Sequence, residues 1–276
     1  MKNKLFLLLL LLFVHGLSAP FKKWRQTPSG LYYKVYTSDT SKPKPEYGDH
    51  IWMHLRKYGW NKKELFNTMI FDTRSGVEMD FRKADKPSDI TEIFQFMGKG
   101  DSAVVMIPAS IADSNGSRNK YYMFRLVLMD FQRREDHIKY KATQIENQIK
   151  TDSSAIADFL SKSDIKGFLA DENGNWYFRK SLGLGKKIIE SDSVVIHYVG
   201  KLLNNRQFDN SYERKQPFSF VVGKRQVIDG LDKGIRNFSF GDKGTLLIPS
   251  INAYGDKEAG KIPPNSVLIF EIEILQ

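Results

Sequence analysis

The chain has 276 residues, of which 41% are hydrophobic and 13% aromatic, a length suited to two domains and a composition that excludes a disordered chain. Lys and Arg number 42 against 32 Asp and Glu, a formal net charge of +10, and there is no cysteine. The missing thiols exclude disulfides, zinc–thiolate and iron–sulfur sites, a cysteine nucleophile and a lipoprotein anchor.

A leader comes first. Met1-Lys-Asn-Lys4 precedes an apolar run from Leu5 to Val14, with Gly16 and Ser18 at small-x-small spacing. A basic start, a short apolar stretch and small residues predict a secretory signal peptide over 1–19, and hence an exported protein, periplasmic or secreted. Ten apolar residues fall short of the roughly 20 that span a bilayer, and no later segment comes closer. Without Lys2 and Lys4 the net charge is +8, and no run of five or more Lys or Arg exists. That diffuse charge argues against a nucleic-acid partner.

Residues 28–131 read as short strands: Leu31-Tyr-Tyr-Lys-Val-Tyr36, Ile51-Trp-Met-His-Leu55, Ala103-Val-Val-Met-Ile107 and Tyr121-Tyr-Met-Phe-Arg-Leu-Val-Leu128, bounded by Gly, Pro, Asn and Asp. Residues 133–165 lack Gly and Pro and set Ile138, Ile145, Ile149, Ile156, Phe159 and Leu160 among polar residues. This predicts one helix or two, with Asp152-Ser-Ser as a break and cap, serving as a connector over 132–170 or as a dimerising arm. Residues 174–276 are strand-like again, and Val227, Ile228, Leu231 and Ile235 stand at helical spacing between two strands.

The two β-rich parts parallel one another. His54 matches His197, Phe71-Asp72 matches Phe208-Asp209, Gly100-Asp101 matches Gly241-Asp242, and Phe124 matches Phe270, at offsets of 143, 137, 141 and 146. Constant order at nearly constant offset predicts a tandem duplication.

The second part carries Val194-Val-Ile-His-Tyr198-Val-Gly200, Phe208-Asp209-Asn-Ser211, Pro217-Phe218-Ser-Phe220, Gly223-Lys-Arg-Gln-Val227-Ile228-Asp-Gly230, Ala253-Tyr254-Gly255 and Ile262-Pro-Pro. In this order and spacing, 174–276 resembles the FKBP-type peptidyl-prolyl cis–trans isomerases, and the whole chain resembles exported bacterial proteins with tandem domains of that kind. The resemblance implies an α+β fold in each domain, a bent antiparallel sheet wrapped on a short helix, with domains at 28–131 and 171–276. It also implies a proline pocket lined by Tyr198, Phe208, Asp209, Phe218, Val227, Ile228, Leu231, Tyr254, Ile262 and Phe270. Tyr198, Asp209, Ile228 and Tyr254 would act on the substrate, and the other six would hold it. Leu231 replaces a tryptophan of some members, and Lys261 stands where an apolar residue is common.

Such a pocket suits the chemistry. Rotation about an X–Pro bond breaks amide resonance and no covalent bond, so the expected enzyme needs no cofactor or metal. A water-poor apolar wall favours the twisted amide, which has lost charge separation. The Ile228 N–H at the helix start and the Tyr254 hydroxyl can donate to substrate carbonyls. Expected partners are unfolded or proline-containing exported polypeptides, with a homodimer as a further option. The competing reading is a non-catalytic module that grips proline segments.

The first copy loses the motif. Leu55 stands for Tyr198, Met79 for Phe218 and Lys86-Pro87 for Val227-Ile228, while Ala-Tyr-Gly and Ile-Pro-Pro are missing. A folded, silent copy is expected. His50, His54, His137 and His197 have no metal spacing, and a buried His197 is expected.

Overall fold

Two seven-stranded antiparallel sheets organise the chain. The computed structural model describes residues 24–37, 39–59, 61–70, 76–112 and 120–275; the predicted leader, Phe71 and Asp72 lie outside them. The chain divides into two units, Met1–Tyr140 and Lys141–Gln276.

The first unit has strands β1 (Arg25–Gln26), β2 (Tyr32–Tyr36), β3 (His50–Tyr58), β4 (Glu64–Asn67), β5 (Val77–Asp80), β6 (Ser102–Pro108) and β7 (Tyr121–Gln132), and a one-turn helix α1 (Ala109–Ala112). The sheet order is β1-β2-β6-β7-β3-β4, with β5 also on β3. Burial alternates along β6, as a strand with one covered face requires. Ile51, Met53, Val105 and Leu126 pack with Ile93 and Phe94 of a 3-10 helix, Ile90–Phe96.

The second unit repeats this plan. Strands β8 (Leu169–Ala170), β9 (Trp176–Ser181), β10 (Ser193–Leu202), β11 (Gln207–Asn210), β12 (Phe218–Val221), β13 (Lys243–Ile248) and β14 (Leu268–Ile274) run β11-β10-β14-β13-β9-β8, with β12 also on β10. This is the first sheet's order. The inner face packs on a helix of one and a half turns, given below as α3.

Side-chain locks recur as well. Asp49 accepts from the Glu46 N–H at 2.8 Å, and Asp192 accepts from the Ile189 N–H at 3.0 Å. Asp101 accepts from the Gly98 N–H at 2.9 Å, and Asp242 accepts from the Ser239 N–H at 2.8 Å. The Leu55 N–H donates to Thr68 Oγ1 at 2.9 Å, and the Tyr198 N–H to Ser211 Oγ at 2.8 Å.

Register corrects three sequence matches. Asp209 lies opposite Gly200 and Phe66 opposite Lys57, so the counterpart of Asp209 is Phe66, not Asp72. Phe218 lies opposite Ile196 and Val77 opposite Met53, so Val77 rather than Met79 takes the Phe218 position. The residue that caps the helix, Ile228 in the second unit, is Asp89 in the first rather than Pro87. Residue types alone do not fix these matches, because strand pairing sets which face a side chain takes.

The segment 133–165 forms one uninterrupted helix, α2 (Arg134–Lys162), which crosses the boundary between the units. Asp152 does not break it. Its carboxylate is buried and accepts from the Ser250 N–H at 2.7 Å and Ser250 Oγ at 2.8 Å, so a tertiary contact uses the residue expected to cap. Ile156 and its neighbours Phe159 and Leu160 cover Leu247, Val267, Ile269 and Trp176 on the outer face of the second sheet. From Lys141 onward the predicted connector is therefore part of the second unit.

Candidate active site

All ten residues expected from sequence line one cavity of about 490 Å³ in the second unit, between sheet and helix, joined by Gln226, Ala259, Gly260 and Lys261 at its rim. Four local features shape it.

The helix α3 (Asp229–Gly234) lies close to the sheet because two of its residues are glycine. A Cβ on Gly230 would come within 2.2 Å of Ile248 Cγ2, and one on Gly234 within 2.7 Å of Leu246. The helix thereby brings Leu231, 4% exposed, to the cavity. Its N-cap, Ile228, is extended and makes no side-chain cap bond. Among the hydrogen bonds of the described residues none engages the Ile228 N–H, which leaves a donor at the cavity wall.

Gly200 in β10 makes room for Phe208. A Cβ there would sit 2.5 Å from the Phe208 ring. Phe208 meets Phe270 edge-on at 5.8 Å between centroids, and Tyr198 meets Phe218 edge-on at 6.2 Å. These contacts leave aromatic edges and faces as the lining.

Asp209 is tied at the cavity edge. The Tyr198 hydroxyl and Arg214 Nη1 donate to its two carboxylate oxygens, and the Asn210 N–H adds a bond at 2.8 Å. Arg214 Nη2 also donates to the Tyr198 hydroxyl at 3.2 Å. Arg214 is absent from the sequence-based set. It lies in the turn after β11, and only the fold returns it to Asp209.

Tyr254 follows a 3-10 turn, Ser250–Asn252, whose first residue is held by Asp152. Gly255, at φ +61°, closes the bend with its N–H on the Ser250 carbonyl at 2.9 Å, a conformation suited to glycine. Ile262 exchanges two 3.0 Å backbone bonds with Ala259, and Arg206 donates to the Lys261 carbonyl at 2.9 Å. The rim loop is thus fastened on both sides.

Behind the cavity, His197 is half-buried rather than buried. Its Nδ1 faces Ser211 Oγ at 2.9 Å, and its ring stacks on Tyr212 at 4.4 Å. The Tyr212 hydroxyl donates to Glu273 at 2.7 Å. Burial and this carboxylate push the phenol up to about 12, while Lys243 and Tyr212 hold Glu273 below its ordinary value.

The sequence profile of the FKBP-type peptidyl-prolyl cis-trans isomerases matches residues 185–275. A protein of Neisseria meningitidis serogroup A named FK506-binding protein is 42% identical over 95 residues, which are 34% of this chain and 87% of that protein. The chain belongs to the FKBP-type peptidyl-prolyl cis–trans isomerase family. A second relative in the family, a probable FKBP-type peptidyl-prolyl cis-trans isomerase of Haemophilus influenzae, is 39% identical over 139 residues. That match spans 50% of this chain and 56% of the relative. The crystal structure of FkpA from Escherichia coli matches with 33% identity and a TM-score of 0.42, over 51% of this chain and 67% of that one.

The first unit of this FKBP-family chain places different residues at the corresponding positions. Leu55 replaces Tyr198, Phe66 replaces Asp209, and Lys57 occupies the position of Gly200. The Lys57 ammonium lies 4.1 Å from the Tyr122 ring centroid and 5.8 Å from that of Phe124, the counterpart of Phe270. At the helix start, Asp89 accepts from the Thr91 N–H at 3.0 Å and so occupies a first-turn donor.

Proposed function

We propose that the chain is a peptidyl-prolyl cis–trans isomerase acting on proline-containing segments of exported polypeptides, with the cavity of the second unit as its active site. One observation carries the reading: ten dispersed residues converge on a single apolar cavity that keeps a free N–H and a tied carboxylate at its edge. The first unit, an eroded copy from a tandem duplication, is catalytically silent. The leader over 1–19 supports export, and among the described residues no helix is long and apolar enough to cross a membrane.

The amide barrier of ~18–20 kcal/mol comes from resonance, which the twisted bond loses together with its charge separation. Phe218, Leu231 and Phe270 exclude water from the prolyl ring and so favour the twisted state over the planar one. The Ile228 N–H and the Tyr254 hydroxyl hold flanking carbonyls while the bond turns. Asp209, fixed by Arg214, orients the Tyr198 hydroxyl and presents its carboxylate to the turning carbonyl.

A proline-limited refolding assay on the leaderless protein tests this. The protein should accelerate the slow phase, and Asp209→Ala with Tyr254→Phe should reduce the acceleration by about tenfold or more, the loss of roughly one good hydrogen bond. Equal refolding rates with and without protein, while unfolded chains still bind, would replace the enzyme by a non-catalytic proline-gripping module.

A further inference from the structure

We propose that the outer face of the first unit's sheet carries a binding site for a carboxylate-bearing ligand with an apolar body. A cavity of about 390 Å³ opens there, on the face away from the core. His54, Arg56, Met69, Ser102, Arg125 and Val127 contribute to its lining, and among the described residues no Asp or Glu does.

Three observations point to an anion. First, His54 is only 5% exposed, and among the described residues its Nε2 has no hydrogen-bond partner. Thr68 Oγ1 already accepts from the Leu55 N–H, so its proton is free to face His54 Nδ1 at 3.4 Å. With Thr68 as donor the imidazole proton stands on Nε2, a buried donor without an acceptor; in the other tautomer Nε2 is a buried acceptor that a carboxylic acid or a protonated imidazole would satisfy. Second, Arg56 and Arg125 are direct cross-strand neighbours. Like charges in that register are unfavourable until an anion lies between them. Third, neither guanidinium meets a carboxylate among the described residues. Arg56 Nη2 points to Met69 Sδ at 3.1 Å, and Arg125 lies over the Tyr58 ring at 5.4 Å.

The second unit shows what has been removed. At the corresponding place Tyr212 stacks on His197 and donates to Glu273, and Glu273 pairs with Lys243 at 2.7 Å. By register Glu273 and Lys243 become Val127 and Ser102 in the first unit, and Tyr212, which follows Ser211, becomes Met69, which follows the equivalent Thr68. The Val199–Glu271 pair becomes Arg56–Arg125. A filled, neutralised face has become an open, cationic one. Met69, Val104 and Val127 supply apolar wall, and the arginine pair with His54 supplies donors matched to a carboxylate.

Small acids and the C-terminal residue of a polypeptide share this chemistry. NMR titration of the leaderless full chain separates them, using octanoate and a short peptide ending in phenylalanine, as free acid and as amide. The His54 ring resonances should shift saturably with the acid peptide, and the amide should bind about tenfold more weakly or worse. Saturation by octanoate as well assigns any apolar carboxylate, and saturation by the peptide acid alone assigns a chain terminus. Arg125→Gln should weaken binding by a similar factor and leave prolyl isomerisation unchanged. No saturation by either acid, equal binding of acid and amide, or an Arg125→Gln chain that binds as before would each overturn the assignment. The acid–amide comparison needs no variant, so it stands even where a substitution disturbs folding.

Discussion

Asp152→Ala is the sharpest test of how the long helix supports the site. The Asp152 carboxylate accepts from the Ser250 N–H and Ser250 Oγ, at 2.7 and 2.8 Å, and from Gln148 at 2.8 Å. Hydrogen bonds to a charged group contribute about 1.5–3 kcal/mol each, and the two to Ser250 join separate elements. Removing them leaves the Ser250 N–H buried and unpaired. Against this stand the higher helix propensity of alanine, roughly 0.5 kcal/mol, and the relief of a buried carboxylate. The net expectation is a loss of about 2–4 kcal/mol in the second unit. At a typical urea slope of about 2 kcal/mol per M, its unfolding midpoint should fall by ~1–2 M. Asp152→Asn keeps one acceptor and should lose about half as much. Hydrogen exchange should quicken across the Ser250–Asn252 turn, and KM for prolyl substrates should rise because Tyr254 follows that turn. If Asp152→Ala stays within ~0.5 kcal/mol of the parent, with exchange at Ser250 unchanged, the helix does not brace the site.

Three further outcomes are expected. Gly200→Ala should displace the Phe208 ring, which lies 2.5 Å from the added methyl position, at about 1–3 kcal/mol of overpacking, and raise KM while circular dichroism stays native. Burial alone would raise the carboxyl of Asp242, but Arg179 and the Gly183 and Ser239 N–H groups outweigh it and hold it below the ordinary value. Because the folded form is the stronger acid, its stabilisation is present above the unfolded pKa, about 3.9, and is lost as pH falls through the lower folded value; urea midpoints of Asp242→Asn should therefore depend less on pH than those of the parent below about pH 4. The fragment 171–276 should be less stable than 141–276 by about 3 kcal/mol or more, since it uncovers Leu247, Val267 and Ile269 from Ile156; equal urea midpoints would detach the helix from the unit.

The cavity was legible because its residues sit in short motifs whose spacing survives as strand and turn. Tyr198 and Gly200 alternate along β10, and Val227-Ile228 precedes a helix that two glycines press onto the sheet. What the sequence did not yield depends on pairing across distance. Arg214 reaches Asp209 only through the turn after β11. Asp152 looked like a cap because its preferred partner is a local N–H, whereas the fold supplies Ser250, 98 residues away. The first unit shows the same dependence on pairing. Phe71-Asp72 resembles Phe208-Asp209 in type, but a strand's faces follow from register, and register puts Phe66 opposite Lys57.

The two units differ in their cavities at very few positions. A sheet has two faces, and a cavity forms on whichever face lacks side chains to fill it. In the second unit Gly200 opens the inner face to Phe208 and the cavity, while Tyr212, Glu273 and Lys243 fill the outer one. In the first unit Lys57 covers the inner ring pair, and Met69, Val127 and Ser102 leave the outer face open around His54. The core residues that hold the strands together, such as Ile51 and Val194 or Met53 and Ile196, stay apolar throughout. Stability and site are therefore written in alternate residues of the same strands, and that separation lets the residues of a cavity change while the fold stays.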